Sequence, residues 1–305
     1  MNDHHNFESK DEIDKIASNL LKASKALGKF PTPIDDIIQC ANLKVDQKVD
    51  LSKVDSKFWT DKLSLLKRAL HKVLGVAIPR KRIIYLDFSL LPGRQHFIKL
   101  HETGHHVLPW QASLYEASED DNVTIDISVK DLYEKEANYF ASSMLFQQSR
   151  FSEEAKSLPL SISSAIALGQ QFGSSHHAAI RRYVEYSHKR CSLLVLDLPK
   201  NQDNYACKIR NHFVSEPFKQ SFGDKVWSGA CGIEYEFVRD FVSRKSNHAD
   251  GILMPFEGSF YPQTFKYHYF TNSYNIFVLI LPIGEEIRSR AVFQIKNLKN
   301  MQKTV

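Results

Sequence analysis

Apolar side chains recur at helical spacing through the first part of the chain. Residues 11–27 place isoleucine, alanine and leucine one helical turn apart, which predicts an amphipathic helix. A second, short helix is predicted within residues 30–43, where Pro33 suits the first turn. Residues 61–75 repeat the pattern and end on a glycine, as helices often do. The β-branched and aromatic side chains of residues 81–88 predict a strand.

Two longer helices are predicted on either side of a polar segment. Residues 91–108 place apolar side chains along one side of a helix, which Pro109 ends. Residues 113–130 are polar and lack a helical period, so we expect a long loop there, with space for one strand. Residues 131–146 return to a helical pattern with the broad apolar face of a buried helix.

The pattern changes character near residue 190. Residues 161–186 predict two short helices that separate around Gly173, Ser174 and Ser175. Beyond Arg190, short apolar runs alternate with Gly, Pro, Asn and Asp, which is typical of strands. We predict strands in the runs CSLLVLDLP, YACKIRNHFV, GIEYEFV, TFKYHYF, NIFVLILPI and AVFQIK.

The expected fold class is α+β, in four parts. An N-terminal helical segment is expected in residues 1–75 and a helical core with a small sheet in residues 76–155. A two-helix segment follows in residues 156–190, and a β-rich domain in residues 191–305. A chain of 305 residues is long enough for more than one compact unit.

Composition narrows the class of protein. Hydrophobic residues make up 43% of the chain and charged residues 25%, as in soluble globular proteins. The net charge of +5 permits contact with acidic partners but does not require nucleic acid. No apolar run reaches membrane length, and the N-terminus lacks the apolar core of a secretion signal. The four cysteines lie far apart without a CxxC pair, which argues against a cysteine-built zinc site and indicates a reduced, cytoplasmic protein.

The segment LHETGHHVLPW contains the pattern H-E-x-x-H. His101 and His105 are four residues apart, so on a helix both imidazoles can reach one ion. Glu102 projects nearby, in a poor position for a ligand but a good one for a general base that takes a proton from water. Gly104 removes bulk where another element must come close. The pattern therefore predicts a zinc site with hydrolytic chemistry.

A polar helix facing solvent is the alternative explanation for these residues. The flanking side chains are apolar nearly all round the helix, so we expect it to be buried. Buried histidines beside a buried glutamate need partners, because an unpaired buried polar group costs several kcal/mol. We therefore favour the metal site. The other histidines and aromatic residues near these segments are expected to be packing or surface residues; they are His106, Trp110, Tyr133, Tyr139, His176 and His177.

A hydrolytic zinc site takes three protein ligands and leaves one position for water. Glu134 and Glu136, on the helix predicted downstream, are the candidates for the third ligand. They point about 160° apart on a helix, so both cannot bind the ion. We favour Glu134, because Asn138 lies one turn further on the same face and can orient a ligating histidine. Glu136 remains the alternative.

At this point the sequence resembles a known family. RQHFIKLHETGHHVL followed by EKEANYFASSMLF is similar to the active-site segments of the ImmA/IrrE zinc metallopeptidases. The preceding strand, the N-terminal helices and LGQQFGSSHHAAIRRYVEY, which looks like a helix-turn-helix segment, extend the resemblance over residues 11–186. It implies a minimal gluzincin core in which His101, His105 and Glu134 bind zinc and Glu102 is the base.

The resemblance also implies a biological role. Members of this family act inside cells on a helix-turn-helix repressor, whose cleavage releases genes of mobile elements or of the DNA-damage response. We therefore expect a zinc-dependent endopeptidase that cuts a regulatory protein of this kind. The segment MLFQQ lacks the proline that the family often has there, and HHVLPWQ replaces the usual short tail of the first helix. For the β-rich C-terminal part, the resemblance suggests the GAF-like sensor domain of longer members, although no motif there matches it.

Two other functions fit parts of the sequence. Residues 165–183 have the spacing of a helix-turn-helix, with Arg181 and Arg182 on the second helix, so the chain can also be read as a DNA-binding regulator. A packed helical hairpin gives the same pattern. The third interpretation is a binding module with a structural zinc and no turnover. Such a site normally has a fourth protein ligand, for which only His106 is close, and it points away.

Overall fold

The structure is a computed structural model that describes residues 7–53, 75–78, 82–113, 126–199, 205–223, 229–243, 248–253 and 264–285. It separates into two compact units. The first contains residues 1–151 and 170–175, and the second contains residues 152–169 and 176–305. The expected α+β class is confirmed, with a β-rich C-terminal portion. The finer division into four parts stays a prediction.

Two helices begin the first unit, where the apolar spacing predicts them. Helix α1 spans Lys10–Ala23 and helix α2 spans Ile34–Cys40. The buried side chains of α1 are four residues apart and form one stripe, as expected of an amphipathic helix; they are Ile13, Ala17 and Leu21.

A small three-stranded sheet follows. Its strands are β1 (Lys44–Asp50), β2 (Gly75–Ile78) and β3 (Ile83–Leu86), in the order β1-β3-β2. Strand β3 is parallel to β1 and antiparallel to β2, and it confirms the strand predicted in residues 81–88. The helix predicted in residues 61–75 lies outside the described residues except for Gly75, which begins β2.

Two long helices form the centre of this unit. Helix α3 spans Pro92–Val107, and helix α4 spans Ile127–Leu145. Proline fits the first turn of α3 because that turn lacks an acceptor for its amide. Helix α4 begins at Ile127, so assigning residues 127–130 to a loop was wrong. The side chain of Asp126 accepts a 2.7 Å hydrogen bond from the Ser128 amide and caps the helix there.

Three shorter helices follow along the chain. They are α5 (Arg150–Lys156), α6 (Ile162–Phe172) and α7 (His176–Glu185). Helices α6 and α7 confirm the predicted pair. Gly173 ends α6 with φ of +76°, a conformation that glycine adopts without strain.

The second unit contains a six-stranded antiparallel sheet in the order β6-β5-β4-β9-β8-β7. Strands β4 and β9 are central and buried on both faces. Helix α7 packs against β4 and β5. The strands are β4 (Ser192–Asp197), β5 (Cys207–Val214), β6 (Ala230–Cys231), β7 (His248–Leu253), β8 (Phe265–Thr271) and β9 (Asn275–Pro282).

Two further helices connect these strands, α8 (Glu216–Phe222) and α9 (Glu236–Ser243). The strand predicted in GIEYEFV was therefore wrong, because its second half begins α9. Phe237 and Val238 are buried in an apolar cluster with sheet residues, which stabilises the helix. The predicted strand AVFQIK lies outside the described residues. In the described part of the chain, no helix is both long and apolar enough to cross a membrane.

Candidate metal centre

The two histidines of the H-E-x-x-H pattern face each other on α3. Their Nε2 atoms are 3.0 Å apart, and the rings meet edge to face with centroids 4.7 Å apart. This follows from the helix itself, because residues four apart are stacked one turn above each other. Both side chains are largely buried, with His101 the more enclosed of the two.

Helix α4 brings Glu134 to the same point. One carboxylate oxygen, Oε2, is 3.3 Å from Nε2 of His101, and the other, Oε1, is 3.7 Å from Nε2 of His105. The ligand atoms of these three residues all lie within 4.8 Å of one another. Ligands about 2.0 Å from a tetrahedral zinc ion are roughly 3.3 Å apart, so the three residues already have suitable spacing.

The close approach of α3 and α4 depends on small residues. A methyl group placed on Gly104 would lie 3.0 Å from Cδ1 of Phe140 and 3.4 Å from Cα of Ala137. Gly104 and Ala137 are both fully or nearly fully buried at this contact. The glycine in the middle of the motif therefore lets Glu134 reach the histidines.

Each histidine is held from behind by a side-chain amide. Nδ1 of His101 is 3.1 Å from Oδ1 of Asn138, and Nδ1 of His105 is 2.7 Å from Oε1 of Gln111. Oxygen accepts only, so each Nδ1 donates and each Nε2 turns its lone pair towards Glu134. In the neutral form of both rings, two imidazole lone pairs and a carboxylate then converge, which is a donor set of the kind that holds a metal ion.

The pKa values reflect this concentration of acceptors. Burial lowers the pKa of His101, but the hydrogen bond to Glu134 and the charges of Glu102 and Glu134 outweigh it, so the pKa is raised. Burial and the charge of His101 lower the pKa of His105 to about 4. Burial raises the pKa of Glu134, but its hydrogen bond to His101 and the charges of both histidines lower it overall. In the metal-free site, His101 therefore has the higher pKa of the two histidines.

The remaining acids occupy different environments. Glu102 is only 5% exposed, and its charge acts on His101. Glu136, the alternative third ligand, points away from the histidines: its carboxylate accepts hydrogen bonds from Ser9, from Nε1 of Trp110 at 2.7 Å and from Nε2 of Gln111 at 2.6 Å. Among the two downstream acids, the geometry brings Glu134 alone to the histidine pair.

Gln111 is the site residue that sequence reasoning missed. It follows the motif by six positions, in a short helical stretch of residues 109–113, and is completely buried. A glutamine just after Pro109 carries no periodic signal of its own. The aromatic neighbours have structural contacts: the hydroxyl of Tyr139 donates to Asp14 at 2.8 Å, and that of Tyr133 to the carbonyl of Trp110 at 3.4 Å.

The histidines and arginines of α7 lie in the second unit. The rings of His176 and His177 pack against Phe270 and Phe277, so they belong to the contact between helix and sheet, not to a free surface. Arg181 pairs with Glu185 at 3.0 Å and lies over the Phe213 ring, and the buried Arg182 lies over the Tyr186 ring.

Comparison with known proteins points to one domain family. Residues 62–183 match the model of the peptidase M78 family, described as the IrrE N-terminal-like domain. No curated protein matches the chain. A solved transcriptional regulator from Mycobacterium tuberculosis has a similar fold, with a TM-score of 0.52 and 13% sequence identity over 88% of this chain and 75% of that chain. At this identity the similarity concerns the fold alone.

Proposed function

We propose that the chain is a zinc-dependent endopeptidase of the ImmA/IrrE type, on the basis that residues 62–183 match the model of the IrrE N-terminal-like domain. Its substrate would be a regulatory protein, with a helix-turn-helix repressor as the class we favour. The observation that carries the proposal is the convergence of His101, His105 and Glu134 from two adjacent helices, beside the acid Glu102.

The donor set favours zinc over other common cations. Two imidazole nitrogens and one carboxylate are typical of catalytic zinc sites, whereas magnesium and calcium prefer oxygen ligands. His101, His105 and Glu134 would hold the ion, and Asn138 would orient His101 through its Nδ1 hydrogen bond. Three protein ligands leave a position for water, as hydrolysis requires.

In the proposed hydrolysis, the zinc ion and the protein side chains have different roles. When bound, zinc supplies Lewis acidity, which lowers the pKa of a coordinated water and polarises a peptide carbonyl. Glu102 accepts the proton of the attacking water and delivers it to the nitrogen of the departing amine. The low exposure of Glu102 supports this role, because few competing waters reach a buried carboxylate. His101, His105 and Glu134 stay fixed throughout, since each is held by neighbouring side chains.

The DNA-binding alternative is less favoured by the contacts of α7. A recognition helix needs basic side chains that reach DNA phosphates or bases. Arg181 and Arg182 instead contact Glu185, Phe213 and Tyr186 of the same unit. A gel shift with duplex DNA at low salt tests this alternative, and a salt-sensitive shift would support it.

The proposed function is tested with a Glu102→Gln variant. The amide cannot accept the proton of water, so cleavage of helix-turn-helix repressors should fall at least about 100-fold, a loss typical of general-base removal, while zinc content stays near that of the wild type. Cleavage is followed by gel electrophoresis and mass spectrometry, and bound zinc by elemental analysis. The control is Glu12→Gln, the same change at an exposed position of α1.

The outcomes separate a peptidase from a binding module and test the metal site itself. Cleavage that a chelator abolishes, that zinc restores and that Glu102→Gln lacks supports the peptidase. Bound zinc without cleavage of any repressor supports a binding module. A wild-type protein that purifies with no more zinc than a His101→Ala variant, and takes up none when it is supplied, contradicts the metal site itself.

A further inference from the structure

The buried amide of Gln111 has partners on both sides. Its Oε1 is 2.7 Å from Nδ1 of His105, while its Nε2 donates to Oε2 of Glu136 at 2.6 Å and to the carbonyl of Tyr133 at 3.2 Å. Gln111 is completely buried and Glu136 is only 2% exposed, so water does not compete for these hydrogen bonds.

These partners determine which way the amide faces. A backbone carbonyl and a carboxylate accept hydrogen bonds and cannot donate one, so the NH₂ group of Gln111 must face Tyr133 and Glu136. The carbonyl oxygen of Gln111 then faces His105, and the hydrogen of the neutral imidazole must be on Nδ1. Nε2 is left with its lone pair directed towards His101 and Glu134.

Glu136 is itself held firmly. Its carboxylate also accepts hydrogen bonds from Nε1 of Trp110 at 2.7 Å and from the hydroxyl of Ser9, just before α1. The sequence offered this acid as an alternative ligand, but its contacts give it a different use. It cannot swing towards the histidines without leaving the buried amide of Gln111 and the partly buried indole N–H of Trp110 without these acceptors, which is unfavourable.

From these contacts we propose that Gln111, anchored by Glu136, is the residue that positions His105 for the metal ion. The relay Glu136–Gln111–His105 fixes both the ring orientation and the tautomer in which Nε2 can bind a cation. This inference rests on the proposed function only in that His105 is a ligand. Asn138 gives the same kind of support to His101, but it is exposed, so water can replace its oxygen.

The direct test is the tautomer of His105 in the metal-free protein. Ring nitrogen-15 NMR at pH 8 should show the Nδ1–H tautomer for the wild type. Gln111→Met keeps the length of the side chain but removes the acceptor, so His105 should move towards the Nε2–H tautomer. The control is Gln39→Met, the same change at an exposed position of α2, which should leave the His105 signals unchanged.

Metal binding gives the second measurement. Competition with a chelating dye should show zinc binding about 10- to 100-fold weaker in Gln111→Met than in the wild type or Gln39→Met. If Gln111→Met does not fold, the double variant Gln111→Glu with Glu136→Gln tests the same point. It keeps an acceptor towards His105 and avoids two adjacent carboxylates, so it should retain the Nδ1–H tautomer.

The possible results distinguish the two proposals. If the wild type binds no zinc, the proposed function fails, and the tautomer measurement still decides the role of Gln111. If the wild type binds zinc and Gln111→Met binds it equally well with an unchanged His105 tautomer, the positioning role is overturned and the peptidase proposal stands. Loss of the Nδ1–H tautomer in the folded double variant would also overturn the positioning role.

Discussion

The pKa values of the two site histidines shift in opposite directions although the residues are one turn apart. The pKa of His105 is lowered to about 4 by burial and by the charge of His101. An unfolded histidine titrates near 6.5, so between these values the unfolded chain binds more protons than the folded one. His105 therefore destabilises the metal-free fold as the pH falls from 6.5 towards 4. His101 has a raised pKa and acts oppositely: its contribution is present below 6.5 and is lost as the pH rises through the raised value.

We expect this difference to appear in the unfolding of the metal-free protein. The free energy of unfolding should fall by about 1–3 kcal/mol between pH 6.5 and pH 4.5 because of His105 alone. Urea unfolding of the wild type and of His105→Gln measures it, since the variant cannot take up that proton. As the pH falls, the free energy of unfolding of the wild type should therefore decrease more than that of His105→Gln. Parallel curves over this range would contradict the prediction.

The cysteines differ sharply in accessibility. Cys40 is exposed, whereas Cys191, Cys207 and Cys231 are free thiols with completely buried side chains. Burial raises the pKa of Cys191 to about 12, that of Cys207 to about 11 and that of Cys231 to about 12. A thiol reacts as its thiolate, so both access and charge protect these three residues.

We therefore expect one thiol of the native protein to react with Ellman's reagent at pH 8. All four cysteines of the chain should react once it is unfolded in guanidinium. Cys40→Ser should abolish the native reaction and leave three thiols in the unfolded protein. More than one rapidly reacting thiol in the native wild type would show that the buried set is accessible.

Sequence reasoning reached some site residues and missed others for a physical reason. His101, His105 and Glu134 lie on helices whose periodicity is visible along the chain, so helical geometry alone relates the residues within each helix. Gln111 lies beyond the proline that ends α3, where no periodicity applies. Its role depends on Glu136, which it contacts only after the chain has folded.

At the scale of elements, the contact of α3 with α4 limits what residue 104 can be. In a helix, alanine is more stable than glycine by about 1 kcal/mol. A Cβ there would, however, lie 3.0 Å from Cδ1 of Phe140, which is completely buried and has little space to move. Overpacking of this kind typically costs about 1–3 kcal/mol and moves the backbones apart.

Gly104→Ala should affect protein stability and zinc affinity differently. We expect the free energy of unfolding of the metal-free protein to change little, because the gain in helix propensity offsets the strain. Zinc affinity should fall about tenfold or more, because Glu134 moves away from His101 and His105. Urea unfolding and dye competition give the two values. Unchanged zinc affinity would mean that α4 adapts to the methyl group without moving Glu134.

Two predicted elements were wrong because the local sequence lacks a clear periodic signal, at the start of α4 and in the run GIEYEFV. The first turn of α4 contains no buried residue, because Ile127 is 79% exposed, Ser128 is exposed, and Val129 and Lys130 are only half-buried. Only the cap Asp126 marks its beginning. The run GIEYEFV is too short to separate a period of two from one of 3.6. Tertiary contacts decide it: Phe237 is buried in the cluster of the sheet, and Asp240 accepts a 2.6 Å hydrogen bond from Tyr267.

At the scale of the whole molecule, the two compact units should respond differently to zinc. The proposed ligands all lie in the first unit, on α3 and α4. A bound ion stabilises only those openings that break its ligand set, by about 4 kcal/mol when zinc is about 1,000 times its dissociation constant. The β-rich second unit holds its sheet together with its own buried strands, β4 and β9.

We therefore expect hydrogen exchange to locate the effect of zinc. In mass spectrometry of the full chain, added zinc should slow exchange in residues 92–107 and 127–145 and leave residues 192–197 and 275–282 unchanged, because only the first two segments are joined through the ion. His101→Ala is the control, and zinc should change none of its segments. Protection that appears in the strands of the wild type would show that metal binding is coupled to the second unit. No protection in either helix, with zinc bound, would contradict the assignment of the ligands to α3 and α4.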